Sequence, residues 1–392
     1  MDVRERRARL GALAVFRDLL RDPAVRALDA ALGAWGRGDR YPRRLGAFEA
    51  EVFARGGDWS RILLELTARS ENVCIRQCGN GPLDRSLLSA LEEELRFLQD
   101  LSQLRLEDLP DVPEYLTGWN TSAVDIPGEY RRRMEQVHVL GYGMFARFHA
   151  FTVKDGRLVP VKHPDPQRLE ELPGYERERE PILTNTEVLL SGGPANNVLL
   201  YGDAGAGKSS TVKAIANEYA DRGLRLVEVK KHQLYELPDL LDDLAENPLK
   251  FLIFIDDLSF TVNDDNFAAL KAILEGSAGG RAGNTAVYAT SNRRHLIKET
   301  LSDREGDDIH AGDTRQELMS LAARFGLTVT FQNPDRDRYL YIVARLAERC
   351  GLDMGEPERS VRAEAFAIRA GGRSARVAKQ FVELCRGGVL HS

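Results

Sequence analysis

The spacing of apolar residues divides the chain into stretches of different character. Up to about Arg133 the repeat is helical. Leu10, Leu13, Phe16, Leu19 and Leu20 fall on one helix face. Ala24–Trp35, Leu45–Phe53, Trp59–Leu66 and Leu87–Leu98 keep apolar residues at intervals of three and four. Gly56-Gly57 and Gly79-Asn80-Gly81-Pro82 punctuate these runs. Phe148–Val153 and Arg157–Val161 then predict two strands joined by the turn Lys154-Asp155-Gly156. His163-Pro164-Asp165-Pro166 breaks the pattern where a domain junction is expected.

Past the junction, strand-like runs alternate with helical ones. Asn197–Tyr201, Leu224–Val229, Phe251–Ile255, Ala286–Thr290 and Leu327–Phe331 read as five strands. Ser210–Tyr219, Leu237–Ala245 and Phe267–Leu274 read as helices between them. Such alternation predicts an α/β core, a five-stranded parallel sheet flanked by helices. Pro334 to Leu390 is helical again. The expected organisation is a mostly helical N-terminal domain ending in the β-hairpin (1–165), an α/β core (166–332) and a small helical lid (333–392).

Composition narrows this picture without redirecting it. The 392 residues carry 54 Lys+Arg against 60 Asp+Glu, a net charge of −6, with 43% hydrophobic and 29% charged residues. These values exclude wholesale disorder and a coiled-coil rod. Mild acidity argues against a generic DNA-coating protein, and 7% aromatic residues argue against base-stacking platforms. The apolar runs are far too short for a membrane span. Arg4, Arg6, Arg7 and Arg9 before Leu10–Phe16 resemble a signal peptide superficially, but Arg17 and Asp18 interrupt the apolar stretch. A cytoplasmic protein is expected. Of the four cysteines, Cys74 and Cys78 sit four apart without further ligands at zinc spacing, so buried thiols are expected rather than a metal or redox pair.

The chemistry concentrates after the strand Val198–Tyr201. Gly202-Asp203-Ala204-Gly205-Ala206-Gly207-Lys208-Ser209 matches the phosphate-binding pattern G-x-x-x-x-G-K-[ST], called Walker A, and runs on through Ser210 into a helix. Glycines let backbone N–H groups turn inward around an anion, and the helix presents its positive end to the same place. Lys208 can reach the β- and γ-phosphates of ATP, and Ser209 can ligate Mg²⁺. Phe251–Ile255 ends in Asp256-Asp257, the Walker B position. Asp256 is expected to hold the Mg²⁺ shell with Ser209, and Asp257 to act as general base on water. Asp257 is one methylene shorter than the usual Glu, which predicts slow hydrolysis.

A polar residue at the tip of Ala286–Thr290 can position the attacking water. With the phosphate loop and the acidic strand in order before it, the sequence resembles the AAA+ ATPases. That resemblance implies that Asn292 is sensor 1 and that Arg324, in Leu321-Ala322-Ala323-Arg324-Phe325-Gly326, is an arginine finger reaching a neighbouring subunit's nucleotide. It also implies that Gly372-Arg373-Ser374-Ala375-Arg376 supplies sensor 2, Arg373 first and Arg376 second. Arg293 and Arg294 fit a subunit interface or a solvated pair equally. Leu172 and Tyr175, in Leu172-Pro173-Gly174-Tyr175-Glu176, match the segment that borders the adenine.

Pro194–Gly202, Asn217-Glu218-Tyr219, Asp256–Phe260 and Ala289–Leu296 resemble more closely an uncharacterised bacterial family of AAA+-like proteins, classed as a domain of unknown function and distantly similar to initiator and helicase-loader ATPases. The resemblance runs from about Leu172 to Leu384. One local departure is Leu321-Ala322-Ala323 in place of the usual Ser-Asp before the arginine. The acidic stretch Glu299–Glu317 is expected to be a solvated loop rather than a metal site. The N-terminal helices carry no chemical motif and are expected to recognise a partner.

The expectation is therefore an oligomeric Mg·ATP-binding ATPase, assembled from copies of itself. Hydrolysis would drive remodelling or loading of a protein or nucleic-acid partner. An ATP-dependent switch or scaffold with little turnover is the alternative. A small-molecule kinase would need neither the finger nor the lid.

Overall fold

The computed structural model describes residues 1–78, 81–259, 266–275, 283–292 and 323–390. The chain forms two compact units, Met1–Arg147 and Phe148–Ser392.

The first unit is helical. Its main helices are Pro23–Ala34, Arg40–Phe53, Trp59–Ala68, Arg85–Ser102 and Ile126–Glu135. Asp22, Asp58, Asp84 and Asp125 each accept a backbone N–H at a helix start, which fixes where the helices begin. Trp59 is fully buried edge-on against Phe48, and its indole N–H donates to the Leu101 carbonyl at 2.8 Å. The N-terminal apolar pattern does not form one continuous helix. A helix spans Val3–Gly11, and a short 3-10 turn follows at Arg17–Arg21. Between them the Glu94 carboxylate accepts the N–H groups of Ala14, Val15 and Phe16 at 2.7, 3.1 and 2.9 Å. A buried-edge acid from a distant helix thus satisfies donors that the helix would have used internally. Leu10, Leu13, Phe16 and Leu19 are nonetheless all buried. Cys74 and Cys78 are free thiols, and burial pushes the Cys74 thiol up to about 11.

The second unit is built on a sheet with strands β1 (Ala150–Lys154), β2 (Arg157–Pro160), β3 (Val198–Gly202), β4 (Leu224–Val229), β5 (Lys250–Ile255), β6 (Thr285–Ser291) and β7 (Leu327–Phe331). Their order is β2-β1-β4-β5-β6-β3-β7. All pairs are parallel except the β1–β2 hairpin. The five expected strands are all present and parallel, but the sheet has seven strands, because the hairpin joins it with β1 parallel to β4. Ala150, Phe151 and Thr152 pair with Leu226, Val227 and Glu228. Without that pairing β4 would present an edge of unpaired backbone groups. The hairpin therefore belongs to the sheet's unit and not to the helical front. The boundary falls at Arg147/Phe148, ahead of the proline-rich segment read as the junction.

Helices Glu176–Leu190, Lys208–Glu218 and Leu237–Ala245 flank the sheet. β5 buries Phe251 through Ile255 completely, as a strand covered on both faces requires. Three helices close the chain: Arg336–Arg349, Glu356–Arg369 and Ala375–Arg386. They fall within the same compact unit as the sheet. Buried Tyr339 donates its hydroxyl to the Ala363 carbonyl at 3.1 Å, tying the first to the second. Among the described residues, no helix is long and apolar enough to cross a membrane.

Candidate functional site

Parallel strands bring their carboxyl ends to one edge of the sheet, where connecting loops converge. β3 lies between β6 and β7, and β5 lies beyond β6. The glycine-rich loop after β3, the acidic pair after β5 and the polar end of β6 therefore meet by topology.

The loop leaves β3 at Gly202, whose φ is 133°. A Cβ there would lie 2.0 Å from the Phe331 carbonyl oxygen of β7, so only glycine fits. The Asp203 N–H donates to that same carbonyl at 2.9 Å, and the Asp203 carboxylate accepts the Asn333 N–H at 2.6 Å. Gly205 and Gly207 also have positive φ, 80° and 91°. Gly207 immediately precedes the helix that starts at Lys208, so the loop ends on that helix's positive end.

Lys208 is only 6% exposed. Its ammonium donates to the carbonyls of Gly202 and Asp203 at 2.9 and 2.8 Å and to Asn292 Oδ1 at 3.0 Å. Burial lowers its pKa, against the opposing fields of Asp203, Asp256 and Asp257. The same Asn292 donates its amide to Asp257 Oδ1 at 2.8 Å. One side chain thus joins the loop lysine to the second carboxylate.

The Ser209 hydroxyl donates to Asp256 Oδ1 at 2.6 Å. Thr290, at the end of β6, donates to the same oxygen at 2.5 Å and accepts the Asp257 N–H at 2.9 Å. Asp257 has φ 51°, a left-handed conformation that Asp tolerates better than most residues. Its backbone is held there by Thr290, and its side chain by Asn292.

These groups line a cavity of about 520 Å³. Ala204 through Ser210 form one wall, with Asp256, Asp257, Thr290 and Asn292 beside them. Leu172, Tyr175, Ile342 and Leu346 add apolar surface to the same lining. Tyr175 is buried, stacks on Phe331 at 5.5 Å, and donates its hydroxyl to the Gln332 carbonyl at 2.8 Å. The C-terminal helices reach the loop directly: Arg376 N–H donates to the Gly205 carbonyl at 3.1 Å.

The sequence-predicted residues divide as follows. Leu172, Tyr175, Ala204, Gly205, Ala206, Gly207, Lys208, Ser209, Ser210, Asp256, Asp257, Asn292 and Arg376 all line the cavity. Gly202 and Asp203 support the loop from beneath and do not line it. Arg373, expected first for sensor 2, does not line the cavity: it makes a two-pronged pair with Glu364 at 3.0 and 2.6 Å, which lowers the Glu364 pKa. Arg376 is the arginine of that segment on the cavity. Arg324 precedes β7, whose Leu327 pairs with Val198 at the start of β3. It therefore lies toward the opposite edge of the sheet from the loop, and it does not line this cavity. Arg293, Arg294, Leu321, Ala322 and the acidic stretch Glu299–Glu317 lie outside the described residues.

Sequence reasoning missed Thr290, Arg179 and Asn217. Thr290 matters because β6 is hydrogen-bonded beside β5, a long-range fact. Arg179 is buried in the cavity wall. Asn217, on the loop's own helix, donates to the carbonyls of Asp165 and Gln167 at 2.7 and 2.8 Å. It thereby pins the segment that leads to Leu172 and Tyr175.

Fold and site together define a mixed α/β protein with a mostly parallel sheet, whose glycine-rich loop and two carboxylates line one partly apolar cavity. The chain belongs to the family described as Protein of unknown function (DUF815), whose model matches residues 145–389. That span takes in the hairpin, the sheet and the C-terminal helices. No curated protein matches the chain.

Proposed function

We propose that this protein is an oligomeric AAA+ P-loop ATPase, which binds Mg·ATP at the Gly202–Ser210 loop and couples its hydrolysis to remodelling or loading of a protein or nucleic-acid partner. The observation that carries the reading is the convergence on one cavity of Lys208, the Ser209–Asp256 pair and the Asp257–Asn292 pair. Loop N–H groups and the start of the following helix would hold the phosphates. Lys208, which now caps two carbonyls of its own loop, would exchange them for phosphate oxygens. Ser209 Oγ and Asp256 Oδ1 are hard oxygen donors 2.6 Å apart, a set that suits Mg²⁺. The ion would neutralise phosphate charge when bound. Asp257 would accept the proton of the attacking water, and Asn292 would orient that water. Arg376 is the cavity-facing candidate for sensor 2. Arg324 would serve a neighbouring copy, in keeping with its distance from its own cavity.

A second reading is an ATP-dependent switch or scaffold with little turnover. It is favoured by the short Asp257 side chain, already engaged by Asn292. Steady-state phosphate release measured beside nucleotide-dependent oligomer size separates the two. Brisk, partner-stimulated release excludes the switch; nucleotide-dependent assembly with negligible release excludes the motor.

A further inference from the structure

Arg179 lies in the helix Glu176–Leu190, which follows Tyr175 directly, and lines the cavity together with Leu172, Tyr175 and Ile342. Its side chain is 7% exposed. The charged and titratable groups that act on it are Glu176, Glu178 and Tyr341, with none of the phosphate-side carboxylates among them. Burial is the larger influence and lowers its pKa. Its ion pair to Glu176 spans 3.5 Å, longer than a charged hydrogen bond, and Glu176 is itself 59% exposed. A guanidinium carries five N–H donors and no acceptor. Burying it with so little compensation costs free energy unless a ligand completes its contacts.

The apolar lining residues would receive the base of a nucleotide, and the acceptors a base offers are ring nitrogens and, in some bases, a carbonyl oxygen. We propose that Arg179 reads the base of the bound nucleotide, donating N–H groups to acceptor atoms on its edge. Tyr175, Leu172 and Ile342 supply the apolar surface, and Arg179 supplies the directional contact. This rests on the reading of the loop as a nucleoside triphosphate site.

The test uses the full chain, with ATP and ribose 5-triphosphate, which lacks the base, titrated against wild type and Arg179→Met. Methionine keeps the buried volume and stem while removing every donor. The expected result is a loss of ATP affinity of about ten- to hundredfold with ribose 5-triphosphate bound equally by both proteins. Equal ATP affinity in the two proteins overturns the assignment and leaves the phosphate loop standing. An equal loss for both ligands also overturns it, because the effect would then not reach the base. Wild type binding neither ligand overturns the loop reading and this inference together.

Discussion

Gly202 and Gly207 both have positive φ, yet their surroundings predict different consequences for substitution. At Gly202 a Cβ meets the Phe331 carbonyl oxygen at 2.0 Å, whereas at Gly207 nothing lies within 4 Å. Gly207→Ala should cost roughly 1–2 kcal/mol, the ordinary penalty for a left-handed alanine. Gly202→Ala should cost about 3 kcal/mol or more, because β7 must move as well. Denaturant unfolding of the two variants checks the ordering; equal losses would mean that β7 yields freely. Thr290 makes another prediction at this scale. Its hydroxyl serves Asp256 and the Asp257 N–H together. Thr290→Val should weaken Mg²⁺-dependent nucleotide binding by about tenfold or more, with Thr290→Ser restoring it. Titration with and without Mg²⁺ distinguishes this from a general loss of stability, which would lower both.

At the scale of elements, the helix Lys208–Glu218 does two things: its start carries the loop, and Asn217 near its end anchors the segment before Leu172. Asn217→Ala should leave the Asp165 and Gln167 carbonyls without that donor. Amide exchange across residues 165–175 should then quicken by about tenfold, with the sheet unchanged. Uniform quickening throughout the unit would instead indicate global destabilisation. This arrangement also explains how much of the site is legible in the sequence. The glycine-rich loop is contiguous, so its glycines, lysine and serine can be read in order along the sequence. Asp256 and Asn292 follow from strand ends that parallel topology brings together. Thr290 acts on Asp256 and Asp257, far away in sequence, and nothing local places Thr290 or Arg179 at the cavity. The hairpin was legible as a hairpin, but its docking on β4 depends on an edge that only the assembled sheet exposes. Arg373 lies just before the helix that starts at Ala375 and Arg376 lies in its first turn, and Glu364 takes up Arg373.

For the whole molecule, the family match covers the sheet and the C-terminal helices, whereas the helical front packs around its own core. Under the proposed function, the division would join an ATP-driven core to a unit with a different task. Arg324 lies toward the edge of the sheet away from the loop, so its proposed role requires a second copy of the chain. Arg324→Ala should keep nucleotide affinity and lose about a thousandfold in turnover, with activity recovered when it is mixed with a variant whose own loop is disabled but whose Arg324 is intact. Full turnover in Arg324→Ala alone would remove the arginine from the mechanism. The expectations for Thr290 and Arg324 presuppose nucleotide in the cavity beside Lys208. The most direct measurement is a calorimetric titration of wild type and Lys208→Ala with Mg·ATP. Saturable binding by wild type, lost in Lys208→Ala while the variant remains folded, is the predicted result. Absence of binding by folded wild type, or undiminished binding by Lys208→Ala, would contradict it.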